Sequence, residues 1–177
     1  VAGEQTVRAT VIGAGMQSTE VSGSTVYIPK AELPLRNLPV VSVELSDKDT
    51  ASETALHAKL AEALIQGAAM YDMSVSPPFA IALKGLRYCS YAQLQIVAAG
   101  MLAAYRNAAP ESRLLVVVSE HDMAKALGQA LSIRSGNEPG IVCIDQVHVE
   151  NGDYIDLGEP IADTMLPVIV KTLAFTS

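Results

Sequence analysis

Three short apolar runs constrain this chain more than any other feature. Phe79–Leu83, Leu114–Val118 and Ile141–Ile144 carry no polar residue. A strand with one wet face alternates apolar and polar positions, so the five branched residues of Leu114–Val118 predict a strand buried on both faces, Ile141–Ile144 another buried strand and Phe79–Leu83 a short apolar strand. Between the runs the period changes to that of a helix. Ser90-x-x-Gln93 is a capping box, followed by Leu94, Val97, Met101, Leu102 and Tyr105 on one face up to Pro110. A further helix is predicted from about Asp122 to Ile133, with Met123, Leu127 and Leu131 turned inward. Upstream, Val40, Val41, Val43 and Leu45 read as a strand after the punctuating Pro29, Pro34 and Pro39. Thr50-x-x-Glu53 reads as a capping box for a helix that buries Leu56, Leu60, Ala63 and Leu64 and turns Lys59, Glu62 and Gln66 outward. Pro77-Pro78 closes that region.

Strand and helix thus alternate three times after Leu38. The pattern implies right-handed crossovers and an α/β fold, a mainly parallel sheet with helices packed against it. From Gln146 the pattern becomes two-fold. Val147 and Val149 alternate with Gln146, His148 and Glu150, then Gly152-Asp153 leads to a short strand Tyr154–Leu157, and Pro167–Phe175 alternates again. We expect this C-terminal part to be antiparallel and half exposed, an edge or small β cap. Its edge could pair with another chain, so a homo-oligomer is among the expected assemblies.

Composition excludes several function classes. The chain has 177 residues, half of them hydrophobic, enough for one sizeable core. The longest apolar stretch, around Ile96–Ala104, is broken by Gly100 and falls short of the roughly 18 residues a membrane span requires, so we expect a soluble, cytoplasmic protein with no membrane partner. The formal charge is −7 with dispersed acids, aromatics are 5%, and Trp is absent. Without a basic stripe or stacking aromatics, nucleic acid is excluded as an expected partner. Cys143 reads as a buried small hydrophobe, whereas Cys89 precedes a helix start, where a thiolate is favoured, but has no His or second Cys nearby. The chain opens on Val1, which suggests an excised or processed piece.

Each candidate site has a plainer alternative. Gly13-x-Gly15-x-x-Ser18 matches a dinucleotide fingerprint, but Gly23 and Ser24 interrupt the helix it requires and Thr25–Ile28 is β-branched. The alternative is close packing through small residues. Ser119-Glu120-His121-Asp122 holds triad letters at the end of a parallel strand, where ligands bind, yet adjacent side chains seldom converge. The alternative is a strand-to-helix turn with Asp122 as N-cap. His57, His121 and His148 have no metal-ligand spacing, while Asp153, Asp156 and Glu159 offer oxygens to Mg²⁺ or Ca²⁺ or are ordinary turn acids. Asp156-Leu157-Gly158 is followed by Glu159 and Pro160, an acid and a missing donor where a phosphate loop needs N–H groups. From the residues alone, no catalytic, cofactor-binding or metal residue is assigned.

Several separated strings resemble one family. They are Thr6–Ile28 (TVRATVIGAG…SGSTVYI), Leu33–Val40 (LPLRNLPV), Leu114–Val117 with Lys125–Gly128 (LLVV…KALG), and Gly152–Gly158 (GDYIDLG) with Pro167–Phe175 (PVIVKTLAF). In this order they are similar to the C-terminal part of the ethanolamine ammonia-lyase reactivating factors, the EutA family. That family is similar to the actin, Hsp70 and sugar-kinase ATPases. The resemblance implies a chaperone that uses ATP and Mg²⁺ to exchange damaged adenosylcobalamin in ethanolamine ammonia-lyase, in the cytoplasm and associated with the ethanolamine-utilization microcompartment. It further implies that residues 1–28 end an actin-like ATPase core, with Thr6–Met16 as its last helix, although the Val, Thr and Ile content there favours a strand. Residues 33–177 would form a family-specific α/β module whose partners are the lyase and the N-terminal remainder of its own chain. The family's Asp-x-Gly-Thr, Asp-x-Gly-Gly-Gly and Gly-Gly nucleotide motifs are absent, so no cofactor and no catalysis are expected here. The alternative is an independent small-molecule-binding domain, with its site at Gly85–Arg87 and Ser119–Asp122.

Overall fold

A computed structural model describes residues 16–24, 33–70, 79–136, 138–160 and 165–173. The elements follow in the order β1 (Met16–Ser24), β2 (Leu35–Glu44), α1 (Glu53–Met70), β3 (Ala80–Lys84), α2 (Tyr91–Ala108), β4 (Leu114–Ser119), α3 (Ala124–Ser135), β5 (Gly140–Ile144), β6 (Tyr154–Leu157) and β7 (Met165–Leu173). They form a mixed seven-stranded sheet ordered β1-β7-β6-β2-β3-β4-β5. Strands β2 to β5 are parallel, as the three apolar runs implied, and β1, β7 and β6 join antiparallel.

The two faces of the parallel strands feed two cores. Val41, Val43, Ile81, Leu83, Leu115, Val117, Ile141 and Cys143 face one side and pack with residues of all three helices. All three crossovers therefore lie on one face, which is how right-handed connections must sit when strand order follows chain order. Leu56 and Leu60 of α1 have no exposure; fully burying such a side chain stabilises by about 1.5–3 kcal/mol. Two glycines set the spacing of this layer. A Cβ on Gly67 would lie 2.5 Å from Val41 Cγ2, and one on Gly100 would lie 2.7 Å from Leu56 Cδ2, so α1 meets β2 and α2 meets α1 at glycine.

The opposite face holds Val40, Ala80, Ala82, Val116, Val118, Val142 and Ile144. No helix covers it. The antiparallel half of the same sheet bends over it instead, supplying Ile155, Leu157, Leu166, Val168 and Val170, with Val147 and Val149 from the loop after β5. The antiparallel part is thus a second layer rather than an edge. Val147 and Val149 belong to no strand, although their alternation is real: they are 2% and 1% exposed while His148 and Glu150 point outward.

Several local expectations are corrected. Helix α1 is capped by Ser52, whose Oγ accepts from Ala55 N at 3.1 Å. Thr50, expected as the cap, is buried, donates its hydroxyl to Asp47 O and accepts from Gln93 Nε2 at 3.3 Å, tying the loop to α2. Ser90 and Gln93 do form their reciprocal capping box. Helix α3 has Met123 rather than Asp122 at its N-cap, with no side-chain cap. Strand β2 starts at Leu35 and runs through Pro39; its first half pairs with β6 alone, where a residue without an N–H is tolerated.

The N-terminal strand also differs from expectation. Met16, the last residue of the helix expected over Thr6–Met16, opens β1, and the rest of that segment lies outside the described residues. Strand β1 pairs along its length with β7, joining part of 1–28 to the same sheet as the downstream module. Gly13, Gly15 and Thr25–Ile28 also lie outside the described residues. Ser18, the last position of the glycine fingerprint, is in a strand, where a dinucleotide turn would need a helix.

Candidate functional site

In a parallel sheet, ligands bind beyond the carboxyl ends of the strands, in the crevice where neighbouring connections leave to opposite faces. Here β2, β3, β4 and β5 follow one another with every helix on one face, so the parallel part has no such crevice. Its carboxyl edge is built from the ends of these strands and the loops after them, including both segments singled out from the sequence, Gly85–Arg87 and Ser119–Asp122.

Ser119 is 2% exposed, and its hydroxyl is engaged locally. Oγ donates to His121 O at 3.0 Å and accepts from His121 N at 3.2 Å. That is a hydroxyl-stabilised turn, and it leaves no geometry for a nucleophile with His121 as its base. Glu120 turns to a different histidine: its Oε2 lies 3.4 Å from His148 Nδ1. On the other side of that ring, Nε2 is 3.2 Å from Glu150 Oε1, and Glu150 also pairs with Lys84 at the end of β3. The Lys84 ammonium, by hydrogen bonding and by charge, holds the Glu150 carboxyl below the usual range. The sequence reading missed this chain of four polar side chains. Its one signal was the outward alternation of His148 and Glu150, which identifies a face and not a partner.

The loop from Asp145 to Asp153 lies across this edge. Val147 N donates to Ser119 O, Asp153 O accepts from Val40 N, and Asn151 Oδ1 accepts from Ser42 N at 2.7 Å. The loop thereby covers the flank of β2 that β6 leaves open. Gly85 turns the chain out of β3 with φ +87, and a Cβ there would lie 2.4 Å from Leu45 O, so this position requires glycine. Arg87, Tyr88 and Tyr91 are exposed beside it; the two tyrosines are about 80% accessible.

The acids proposed for a cation do not share one centre. Asp153 is buried, accepting from Glu150 N and from Thr172 Oγ1. Asp156 accepts from Asn37 N at 2.8 Å and pairs with Lys171 at 2.7 Å, while Lys171 also donates to Asn37 Oδ1. Glu159 is exposed. Among the described residues, no three His, Cys, Asp or Glu side chains form a group that could hold a metal ion. Asn37 has φ +57 within a bulge of β2, and the Asp156–Lys171 pair fixes it there. Three of the strings that carry the family resemblance meet at this bulge.

The Asp156-Leu157-Gly158 segment is not shaped as a phosphate loop. Gly158 N, which a phosphate loop would aim at its ligand, donates to Pro167 O at 2.9 Å, and Asp156 is already paired. The cysteines do not offer an activated thiol either. Burial raises the pKa of Cys89, and burial together with the Asp145 charge pushes that of Cys143 up further. No helix among the described residues is long and apolar enough to cross a membrane.

Comparison with known proteins accounts for what the edge does not. The sequence profile described as "Ethanolamine utilisation protein EutA" matches residues 1–176. The ethanolamine ammonia-lyase reactivase EutA of Salmonella typhimurium is 39% identical over 175 residues, and that of Escherichia coli K12 is 37% identical over 180. Each match covers 98% of this chain and 35% of the relative, so the chain spans about a third of the length of these curated relatives. No solved structure matches at a significant level. With a profile matched along nearly its whole length, this chain belongs to the ethanolamine utilisation protein EutA family.

Proposed function

We propose that this chain is the C-terminal module of an ethanolamine ammonia-lyase reactivating factor, contributing packing and lyase contact rather than chemistry. The observation that carries the reading is the match of two curated reactivases across 98% of this chain but only 35% of their own length. On this reading the ATP- and Mg²⁺-dependent exchange of damaged cobalamin is driven by an actin-like core in the remainder of the parent protein. Residues 1–28 belong to the end of that core and 33–177 to the family-specific module. Strand β1 is then the piece of backbone that physically joins the two.

The engagement of Ser119, Asp156 and Gly158 within the fold supports a non-catalytic role. So does the single-faced order of the helices, which leaves no switch-point crevice among the described residues. The partners proposed are the lyase and the rest of the parent chain, in the cytoplasm and at the ethanolamine-utilization microcompartment. The test compares ATP turnover and lyase reactivation for the full-length protein, a version lacking residues 33–177, and this chain alone. Reactivation should require the module, and this chain alone should not hydrolyse ATP. Appreciable hydrolysis by this chain, or undiminished reactivation without the module, would refute the proposal.

A further inference from the structure

We propose that protonation of His148 tightens the loop over the strand ends against the turn after β4, adding a charged contact with Glu120 to the backbone hydrogen bond from Val147 N to Ser119 O that holds residues 145–153 there in either state. The geometry is two-sided: Nδ1 faces Glu120 at 3.4 Å and Nε2 faces Glu150 at 3.2 Å. An ionised carboxylate only accepts, and a neutral imidazole has a single N–H. The neutral ring satisfies one glutamate and turns a lone pair toward the other. The imidazolium donates to both.

The charged groups around the ring come from four places. From β3 there is Lys84, bonded to Glu150, and from β2 there is Glu44, the register neighbour of Lys84. From the turn after β4 there is Glu120, followed in sequence by His121 and Asp122. From the loop itself there are Glu150 and the buried Asp145 and Asp153, the last accepting from Glu150 N and Thr172 Oγ1. The His148 side chain is 69% exposed. Val147 and Val149 bury their side chains in the core beneath the loop.

The sign follows from the charges. Gaining a proton adds attraction to two carboxylates, so the contact is tightest at the acid end of the range of about pH 5–8 in which imidazoles in general change charge, and it loosens as pH rises. Exposed ion pairs of this kind change an equilibrium by about two- to fivefold.

Amide-exchange protection in the full chain reads this contact directly. The reporters are Val147, whose N–H donates to Ser119 O, and Glu150, whose N–H donates to Asp153 Oδ2. After correction for intrinsic exchange, their protection should be about two- to fivefold higher near pH 6 than near pH 8. His148→Gln should abolish that dependence and Glu120→Gln should reduce it, which keeps the test informative if one variant folds poorly. An equal pH dependence in both variants, or none in the wild-type chain, would overturn the proposal.

Discussion

Tyr105 allows a physical test of the core between helices and sheet. The side chain is fully buried, with its ring centroid 5.1 Å from that of Phe79. Its hydroxyl lies 2.8 Å from both Leu114 O and Ser112 Oγ. Burial pushes the phenol from 10.0 to about 12, partly offset by the hydrogen bond to Ser112. Because the folded value is the higher one, the unfolded chain loses this proton first. The associated stability is complete below pH 10 and is lost as pH rises toward 12. A displacement of this size corresponds to about 2.7 kcal/mol when fully expressed and to about 1.4 kcal/mol at pH 11.

Urea unfolding of the wild-type chain and Tyr105→Phe, at about pH 8 and pH 11, isolates the effect. At the lower pH the variant should be less stable by about 1 kcal/mol, the net loss of one hydrogen bond. At the higher pH the two should be equal within error, since ionisation then weakens only the wild type. Cys143 also titrates only on unfolding in this range, but it is present in both proteins and cancels in the difference. If the wild-type advantage is the same at both pH values, the phenol is not desolvated as described and the reasoning fails.

Other substitutions probe the spacing and the capping. Ser90→Ala removes one half of the capping box of α2 and should cost about 0.5–2 kcal/mol in chemical denaturation, whereas Thr50→Ala should leave the helix content of α1 unchanged by circular dichroism. Gly100→Ala drives a methyl group into Leu56 and should cost about 1–3 kcal/mol; combining it with Leu56→Ala should cost less than the two separate effects added together. Lys171→Met leaves Asp156 unpaired beside the β2 bulge and should lower the thermal midpoint, and Asp156→Asn in the same chain should recover part of the loss.

The parts of this fold legible in the sequence are those governed by short-range periodicity. The run at Val116 announced a strand buried on both faces, those at Ile81 and Val142 announced further apolar strands, and the spacing of Leu94, Val97 and Met101 announced α2. A two-sided apolar run, however, does not name what lies on its second side. Period two states which residues share a face, and the partners Val168 and Val170 are decided by a sheet bend that no local pattern encodes. Asn37 was unreadable for a similar reason: its left-handed backbone is held by Asp156 and Lys171, both more than a hundred residues away. Thr50 and Asp122 misled because each had the right letter one or two positions from the real cap. At the strand ends, Ser119 and His121 suggested chemistry by their types, but their hydrogen bonds make a turn.

The second layer of the sheet bears on how the chain is made. Val116, Val118, Val142 and Ile144 are cloaked by Leu166, Val168 and Val170, residues that are synthesised after them. Until they emerge, a nascent chain can pack its helices on one side while the other side of four parallel strands stays open to water and to neighbouring chains. Nascent polypeptides in that condition are aggregation-prone, and synthesis stalled or terminated ahead of β7 would leave them so. Strand β7 therefore closes this layer: its arrival buries that apolar surface and gives β1, synthesised before it, a pairing partner.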